Sequence, residues 1–326
     1  MIRWGVIGSG NMARNFATAI KEVDNAKLVA ISSSHNKNLE SFSNEFKVDS
    51  KFRYNNYESM AKSSELDAIY ISTLNNTHFD LIKLCAINKK DILCEKPFCL
   101  NLVEASEIKD IIKESGVKFF EAIAYLSHPQ TNEIFKLIND DEIGEINSIE
   151  SSFGFKVGKI KPESRLFNKK LGGGAILDVG CYPLSFIYLF NKDQNRIIFK
   201  DVEGKICKTN VDIEASAQVT VNKKINCEIK ISLQKHLKNC STIYGSKGAI
   251  VINQPWLPEK KTYLEIFTKT RSFKIFVKSD LSVYANQIKN VTNEFLNNNS
   301  KKQRLYDISR SVQNMKYLDI WMKNIN

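Results

Sequence analysis

The chain has 326 residues and a formal net charge of +11. At that length one very large domain or two are expected. Apolar residues at 43% and charged residues at 25% belong to an ordinary globular protein and exclude a disordered chain. No apolar run reaches the ~18 residues of a membrane span, and no signal-peptide pattern precedes the first strand, so a cytoplasmic protein with no membrane partner is expected. The lysines are scattered among asparagines and form no arginine-rich stripe with interleaved aromatics, which reads as a lysine-rich surface rather than as nucleic-acid binding. Seven cysteines without a C-x-x-C pair, with Cys85, Cys94, Cys99 and Cys181 in apolar surroundings, read as reduced core thiols. No histidine has metal-ligand spacing, so no metal is expected.

Trp4 to Ile7 reads as a short buried strand. Gly8-Ser9-Gly10 follows, then a helix over Asn11 to Val23 with Met12, Phe16, Ala19 and Ile20 at helical spacing. Gly8 permits a tight turn, Gly10 lets a pyrophosphate approach the backbone, and Ala13 lets helix and strand pack closely. The helix start at Asn11 and Met12 offers N–H groups to phosphate. Ala26 to Ser32 is the second strand, whose end should meet the adenosine ribose. It carries Ser33, Ser34, His35 and Lys37 and no carboxylate. That set suits a 2′-phosphate; the alternative is a plain turn with a solvated lysine. Leu39 to Phe46 reads as a helix, and Phe52 and Tyr57 bracket a short strand and turn. Leu66 to Thr73 is a further buried strand. Thr73, Leu74 and Asn75 follow on the cofactor side of the sheet, and His78 begins a helix to Asn88. Ile92 to Cys94 is a strand ending in Glu95-Lys96-Pro97, where Pro97 holds Lys96 extended at a strand's carboxyl end. A helix over Leu102 to Glu114, a stop at Gly116 and a strand over Val117 to Ala122 complete the first domain, residues 1–122.

Residues 123–326 change pattern. A helix over Gln130 to Asp140 ends near Gly144. Strands are expected at Ile146 to Phe155, Ala215 to Val221, Ile225 to Leu233, Ser241 to Gly245, Ala249 to Ile252, Tyr263 to Thr268 and Ser272 to Phe276, a mainly antiparallel open sheet. Helices over Val283 to Leu296 and Leu305 to Met322, joined by a polar loop from Asn297 to Lys302, finish the chain. The fold class is therefore α/β, a doubly wound parallel sheet followed by an α/β domain with a large sheet, one of whose faces should be apolar and exposed unless covered. Among the early strands lies Gly172-Gly173-Gly174-Ala175-Ile176-Leu177-Asp178-Val179-Gly180-Cys181-Tyr182-Pro183. The glycines would let backbone run against a planar ligand, and Asp178 and Tyr182 share a helical face. Pro183 requires that a helix start or kink here. A free tyrosine, with a pKa near 10, is a poor acid or base at neutral pH. A nearby ammonium lowers it, and Lys96 is the candidate. Taken singly, Asp178 reads equally as a cap, Tyr182 as a core aromatic and Lys96 as a solvated lysine. Arg165, just before the glycines, is a substrate contact or a surface residue.

Gly8-x-Gly10-x-x-Ala13, Cys94-Glu95-Lys96-Pro97 and Gly172-Gly-Gly-Ala-x-x-Asp178-x-Gly180-x-Tyr182-Pro183, in that order, resemble the Gfo/Idh/MocA family of NAD(P)-dependent oxidoreductases. Glu121-Ala122, His128-Pro129, Gly144-Glu145 and Gly245-Ser-Lys-Gly248 add to the likeness. The resemblance implies a Rossmann domain followed by a substrate-binding and oligomerising domain, and a homodimer or homotetramer built on its sheet. It implies that Lys96 binds near nicotinamide and substrate, that Asp178 and Tyr182 complete the catalytic set, and that His78 lies towards the nicotinamide; His78 reads equally as a helix cap or core group. His128 reads as a structural turn residue and His236 as a surface group. Cofactor contacts are expected at Gly8, Gly10, Asn11, Met12, Ser33, Ser34, His35, Lys37, Thr73, Leu74, Asn75, His78, Glu95 and Lys96. Substrate contacts are expected at Lys96, Arg165, Asp178 and Tyr182. The cofactor is read as NADP because no carboxylate follows the second strand, and NAD is the alternative because Ser34 stands where this branch often has arginine. The substrate is read as a small sugar-like molecule: a sugar, ketosugar, cyclitol or dihydrodiol. Rival readings are an NAD-dependent glycoside-cleaving enzyme of the same fold and a non-catalytic dinucleotide-binding sensor.

Overall fold

A computed structural model describes residues 1–191, 197–297 and 304–325. The expected polar loop from Asn297 to Lys302 lies, beyond Asn297, outside them. In chain order the elements are β1 (Ile2–Ile7), α1 (Asn11–Ala19), β2 (Ala26–Ser32), α2 (Asn36–Phe46), β3 (Arg53–Tyr54), α3 (Tyr57–Ala61), β4 (Ala68–Ile71), α4 (His78–Ile87), β5 (Asp91–Cys94), α5 (Leu102–Ser115), β6 (Phe119–Glu121) and α6 (Pro129–Asn139). There follow β7 (Ile146–Gly154), α7 (Cys181–Tyr188), β8 (Ile198–Ile206), β9 (Asp212–Val221), β10 (Ile225–Ser232), β11 (Ser241–Gly245), β12 (Gly248–Ile252), β13 (Lys261–Thr268), β14 (Ser272–Lys278), α8 (Val283–Phe295), β15 (Tyr306–Asp307) and α9 (Ile308–Lys323). The chain divides into two units, Met1–Ser127 with Leu281–Val312, and His128–Asp280 with Gln313–Asn326. The sequence reading has one cut, after residue 122; in the structure the chain also returns to the first unit near its end.

The first unit holds a sheet of order β15-β6-β5-β4-β1-β2-β3, parallel from β6 to β3, with β15 antiparallel on its edge. Strand order reverses at β1, so the crevice for a dinucleotide lies beyond the carboxyl ends of β1, β2 and β4. One register row crosses the whole sheet: Tyr54, Ser32, Ile7, Ile71, Cys94, Glu121 and Tyr306. The residues that follow this row (Ser33, Gly8, Ser72 and Glu95) therefore share one edge. α8 belongs to this unit because its apolar face covers Trp4. The Trp4 indole N–H donates to the Thr292 hydroxyl at 3.3 Å, and the ring packs on Phe16 at 5.3 Å and Phe295 at 5.4 Å. Phe16 stacks on Tyr70 at 4.2 Å. Such aromatic pairs add about 0.5–1.5 kcal/mol each beyond their buried area.

The second unit holds a sheet of order β14-β13-β12-β11-β7-β10-β9-β8. Only the β7–β10 pair is parallel among the described strands; the rest is antiparallel. β8 is absent from the sequence reading because its residues are mostly exposed and lack the alternation of a half-buried strand. Ile149, Ala217, Ile229, Ile243, Ile250 and Ile266 fill the covered face. The opposite face differs from the apolar surface expected of it. Towards β9, β10 and β7 it is polar, with Gln218, Glu228, Lys230 and Glu150, and towards β13 and β14 it exposes Tyr244, Phe267 and Phe276. By length and composition alone, the stretch Lys169–Tyr188 is long and apolar enough to cross a membrane, with a mean hydropathy of 1.2. However, 78% of that window is buried inside the protein.

Candidate active site

In the first unit the glycine turn is built by close approach. Gly8 has φ +99°, and a Cβ there would lie 2.8 Å from the Ser72 carbonyl oxygen. Its amide donates to the Ser32 carbonyl at 2.9 Å. Any other side chain would part β1 from β4. A Cβ on Gly10 would meet nothing within 4 Å, and no side chain caps α1, which starts at the next residue. Open space above a helix start with uncapped amides is what a pyrophosphate fits. Asn11 is exposed and Met12 half-buried at that start.

Residues after β2 divide into two groups. Ser33 is buried, and its hydroxyl is engaged by the Ser9 hydroxyl at 2.9 Å and the His35 amide at 3.3 Å. These contacts hold the turn in place. Ser34, His35 and Lys37 are exposed, with the Ser34 hydroxyl 3.5 Å from His35 Nδ1. After β4, the Thr73 and Thr77 hydroxyls pair at 2.7 Å, Leu74 is exposed and Asn75 is buried.

Lys96 is half-buried, on a turn pinned from both sides. His78 Nδ1 donates to the Pro97 carbonyl at 2.9 Å, and the Phe98 amide donates to the Glu121 carboxyl at 3.2 Å. His78 is fully buried and meets the turn at Pro97. Burial pushes its pKa down to about 4, which keeps it neutral. The Glu95 carboxyl, also buried, accepts the Tyr70 hydroxyl. Tyr284 of α8, which sequence reasoning missed, faces Glu95, Lys96 and Asn15; burial, then the Glu95 charge, raises its pKa.

In the second unit Gly173 and Gly174 are packed closely against the chain itself. A Cβ on Gly173 would lie 2.8 Å from the Leu166 carbonyl oxygen, and one on Gly174 2.3 Å from Asp212 Oδ1. The Gly174 amide donates to the Leu166 carbonyl at 3.0 Å. This close approach brings Arg165 to Asp178, whose Oδ1 accepts from Nη1 at 2.9 Å. Arg165 is thus an ion-pair partner of Asp178, with half of its side chain exposed. Asp178 is buried within a π-helical stretch, Ile176–Gly180. The Asp212 carboxyl accepts the Ile176 amide at 2.7 Å and anchors the start of that stretch.

α7 begins at Cys181, which places Pro183 in its first turn, where no N–H is needed. Tyr182 is half-buried. Phe153 meets its ring edge-on at 5.3 Å and Trp256 tilts against it at 6.0 Å. The Trp256 indole N–H donates to the Ser152 carbonyl at 3.0 Å, so the frame around the phenol is itself fixed. His128 caps α6, accepting the Gln130 amide at 3.1 Å, as its turn role required; His236 is exposed. All seven cysteines are free thiols, and no metal-ligating cluster occurs among the described residues.

A parallel sheet reversing at β1, a glycine turn leading into an uncapped helix and a lysine presented at β5 define a dinucleotide-dependent oxidoreductase. The comparisons agree. Residues 2–123 match the Gfo/Idh/MocA oxidoreductase family model with its NAD-binding Rossmann fold, and residues 131–251 match the family's C-terminal domain. The chain belongs to the Gfo/Idh/MocA family and is an NAD(P)-dependent oxidoreductase. It is 28% identical over 277 residues to the trans-1,2-dihydrobenzene-1,2-diol dehydrogenase of Xenopus tropicalis, covering 84% of this chain and 81% of that one. A D-xylose 1-dehydrogenase (NADP(+)) of Haloferax volcanii is 26% identical over 63% of this chain and 62% of its own. A 3-ketoreductase from Actinomadura kijaniata, crystallised with NADP and TDP-benzene, has the same fold. Its TM-score is 0.87 at 21% identity, covering 98% of this chain and 96% of that one.

Burial pushes Asp212 up to about 6, against the pull of the amides it accepts. Its folded pKa lies above its ordinary value near 4, so between about pH 4 and 6 the folded state holds a proton that the unfolded state has released. Stability then falls as pH rises through that window. Asp212→Asn should remove that part of the slope in urea midpoints measured at pH 4.5 and pH 7. An unchanged slope would count against the assignment.

Proposed function

We propose that the protein prefers NADP(H) and acts on a secondary alcohol or carbonyl of a sugar, ketosugar, cyclitol or dihydrodiol. The observation that carries the reading is Lys96, presented at the carboxyl end of β5 by a turn pinned at Pro97 and Phe98. Bound nicotinamide supplies or accepts the hydride. Gly8, Gly10, Asn11 and Met12 hold its pyrophosphate, Thr73, Leu74, Asn75 and Glu95 flank the nicotinamide half, and Ser34, His35 and Lys37 receive the 2′-phosphate.

Tyr182 donates or takes up the hydroxyl proton of the substrate. The Lys96 ammonium favours the phenolate and steadies negative charge on the reacting oxygen. Asp178, its charge balanced by Arg165, orients substrate hydroxyls, and Arg165 contacts the substrate from its exposed half. The names of the Xenopus and Haloferax relatives support an alcohol of this kind. We further propose a homodimer or homotetramer assembled on the β11–β14 end of the second sheet, where Phe276 is 79% exposed.

Fluorescence titration with NADPH and NADH tests the cofactor: NADPH should bind more tightly, and Ser34→Asp should weaken it by charge repulsion. Tenfold tighter binding of NADH by wild type would overturn the preference.

Sedimentation at micromolar concentration should show a dimer or larger species that Phe276→Asp dissociates. A wild-type monomer would refute the interface.

Turnover of D-xylose and trans-1,2-dihydrobenzene-1,2-diol with NADP⁺ tests the chemistry. Tyr182→Phe keeps the ring in its aromatic frame and removes the proton carrier. It should lower turnover by roughly 10²–10⁴ with NADPH affinity unchanged. Lys96→Met should cost at least as much, and the two losses should not add. Near-full activity of Tyr182→Phe would rule out the tyrosine as the proton carrier.

A further inference from the structure

Glu121 stands in the first unit at the end of β6, after Phe119 and Phe120, and is 3% exposed. A carboxyl buried in an apolar strand is costly unless something needs it. One oxygen accepts the Phe98 amide at 3.2 Å. The other, Oε2, is buried and receives no hydrogen bond of ordinary length, although the Ser311 hydroxyl of α9 faces the carboxyl. A neutral glutamine could also accept from the Phe98 amide, but as a weaker acceptor. What a carboxylate adds is charge, and the register row puts that charge beside Cys94, two residues from Lys96.

We propose that Glu121 is a positioning residue for Lys96: its carboxylate anchors the Phe98 amide, fixes the Lys96–Pro97–Phe98 turn, and steadies the Lys96 ammonium by opposite charge. This rests on the reading of Lys96 as the activating cation. The groups facing Glu121 come from each neighbouring element. Cys94 of β5 keeps its proton, since burial, then the Glu121 and Glu95 charges, push its thiol well above the ordinary range. Glu95 opposes the ionisation of Glu121 and Lys96 favours it. β15 contributes the Tyr306 phenol directly opposite in register, with exposed Asp307 next to it, and neutral His78 holds the far side of the turn. Burial dominates and pushes Glu121 up to about 7. Below that pH the carboxyl is neutral and leaves the turn with a weaker acceptor; above it the anchor is charged. Lys96 should therefore sense a titration near neutrality that is not its own.

The test needs no substrate. Lysines of the full-length protein are ¹³C-dimethylated, the Lys96 resonance is assigned by its loss in Lys96→Arg, and its shift is followed from pH 5 to 9. Wild type should show an inflection near pH 7, and Glu121→Gln, fixed in the neutral state, should lack it while binding NADPH normally. An inflection that persists in Glu121→Gln, or is absent from wild type, overturns the proposal. If Glu121→Gln does not fold, the ¹³Cδ resonance of Glu121 in labelled wild type decides: titration near 7 supports the proposal, and titration below 5 overturns it. With D-xylose or the dihydrodiol and NADP⁺, Glu121→Gln should turn over roughly tenfold more slowly at pH 8, the worth of one charge-assisted hydrogen bond, with the acid limb gone. Loss of the Lys96 inflection together with full activity of Lys96→Met would support the anchor and refute the catalytic reading of Lys96.

Discussion

The amide of Phe98 and the carbonyl of Pro97 pose the problem on which the first unit's chemistry depends. A turn that offers Lys96 outward turns its own backbone inward, and a buried amide or carbonyl left unpaired costs about 1–3 kcal/mol. Glu121 and His78 meet those two groups. The second unit answers the same problem in the same way. The Ile176 amide is met by Asp212, and the Gly174 amide by the Leu166 carbonyl pressed against the glycines. In each unit a buried polar group, apart from the proposed reacting residues, fixes where the latter stand.

Burial also sets the charge states around Lys96. His78 is held neutral by desolvation at any pH well above 4, so it adds no charge beside the ammonium. Tyr70 and Tyr284 keep their protons, since burial and the Glu95 charge both disfavour their phenolates. Among the described groups of the first unit that face Lys96 are the uncharged side chains of His78 and Tyr284 and the carboxyl of Glu121. Glu121 is raised to about 7, so the charge it presents to the lysine varies with pH near neutrality.

Local motifs were legible in the sequence to the extent that the constraint behind them is local. The Gly8 turn depends on a positive φ and a close approach only glycine allows, and strand, turn and helix fell where their apolar spacing put them. Pro97 and Pro183 marked real boundaries for the same reason. Partners distant in sequence left weaker marks. α8 packs on Trp4 across more than 280 residues, and nothing in its own spacing says which sheet it covers. β8 is too exposed to alternate. Ser33 and His78 were read as ligand contacts from their position; their burial and the turn contacts they make are visible only in three dimensions. Glu121 and Asp212 did carry a signal, a single acid inside or beside an apolar strand. That signal reports a buried polar role without saying whose backbone it serves.

Pro183 also accounts for the change of helix type beside Tyr182. In a continuous α-helix the amide of residue 183 would donate to the carbonyl of Val179; proline has none to give. The chain instead winds as a π-helix through Ile176–Gly180 and turns α-helical at Cys181, so the interruption falls where a hydrogen bond was already missing. π-helical turns recur at functional sites because they aim side chains that a regular helix could not. Here the stretch is held at its start by Asp212 and packed at Gly180, where an added Cβ would lie 3.1 Å from Trp321 and 3.2 Å from Ile231. Between these fixed ends Asp178 meets Arg165, and Tyr182 meets Phe153 and Trp256. In the proposed reaction the Asp178 charge is thus balanced before any proton moves.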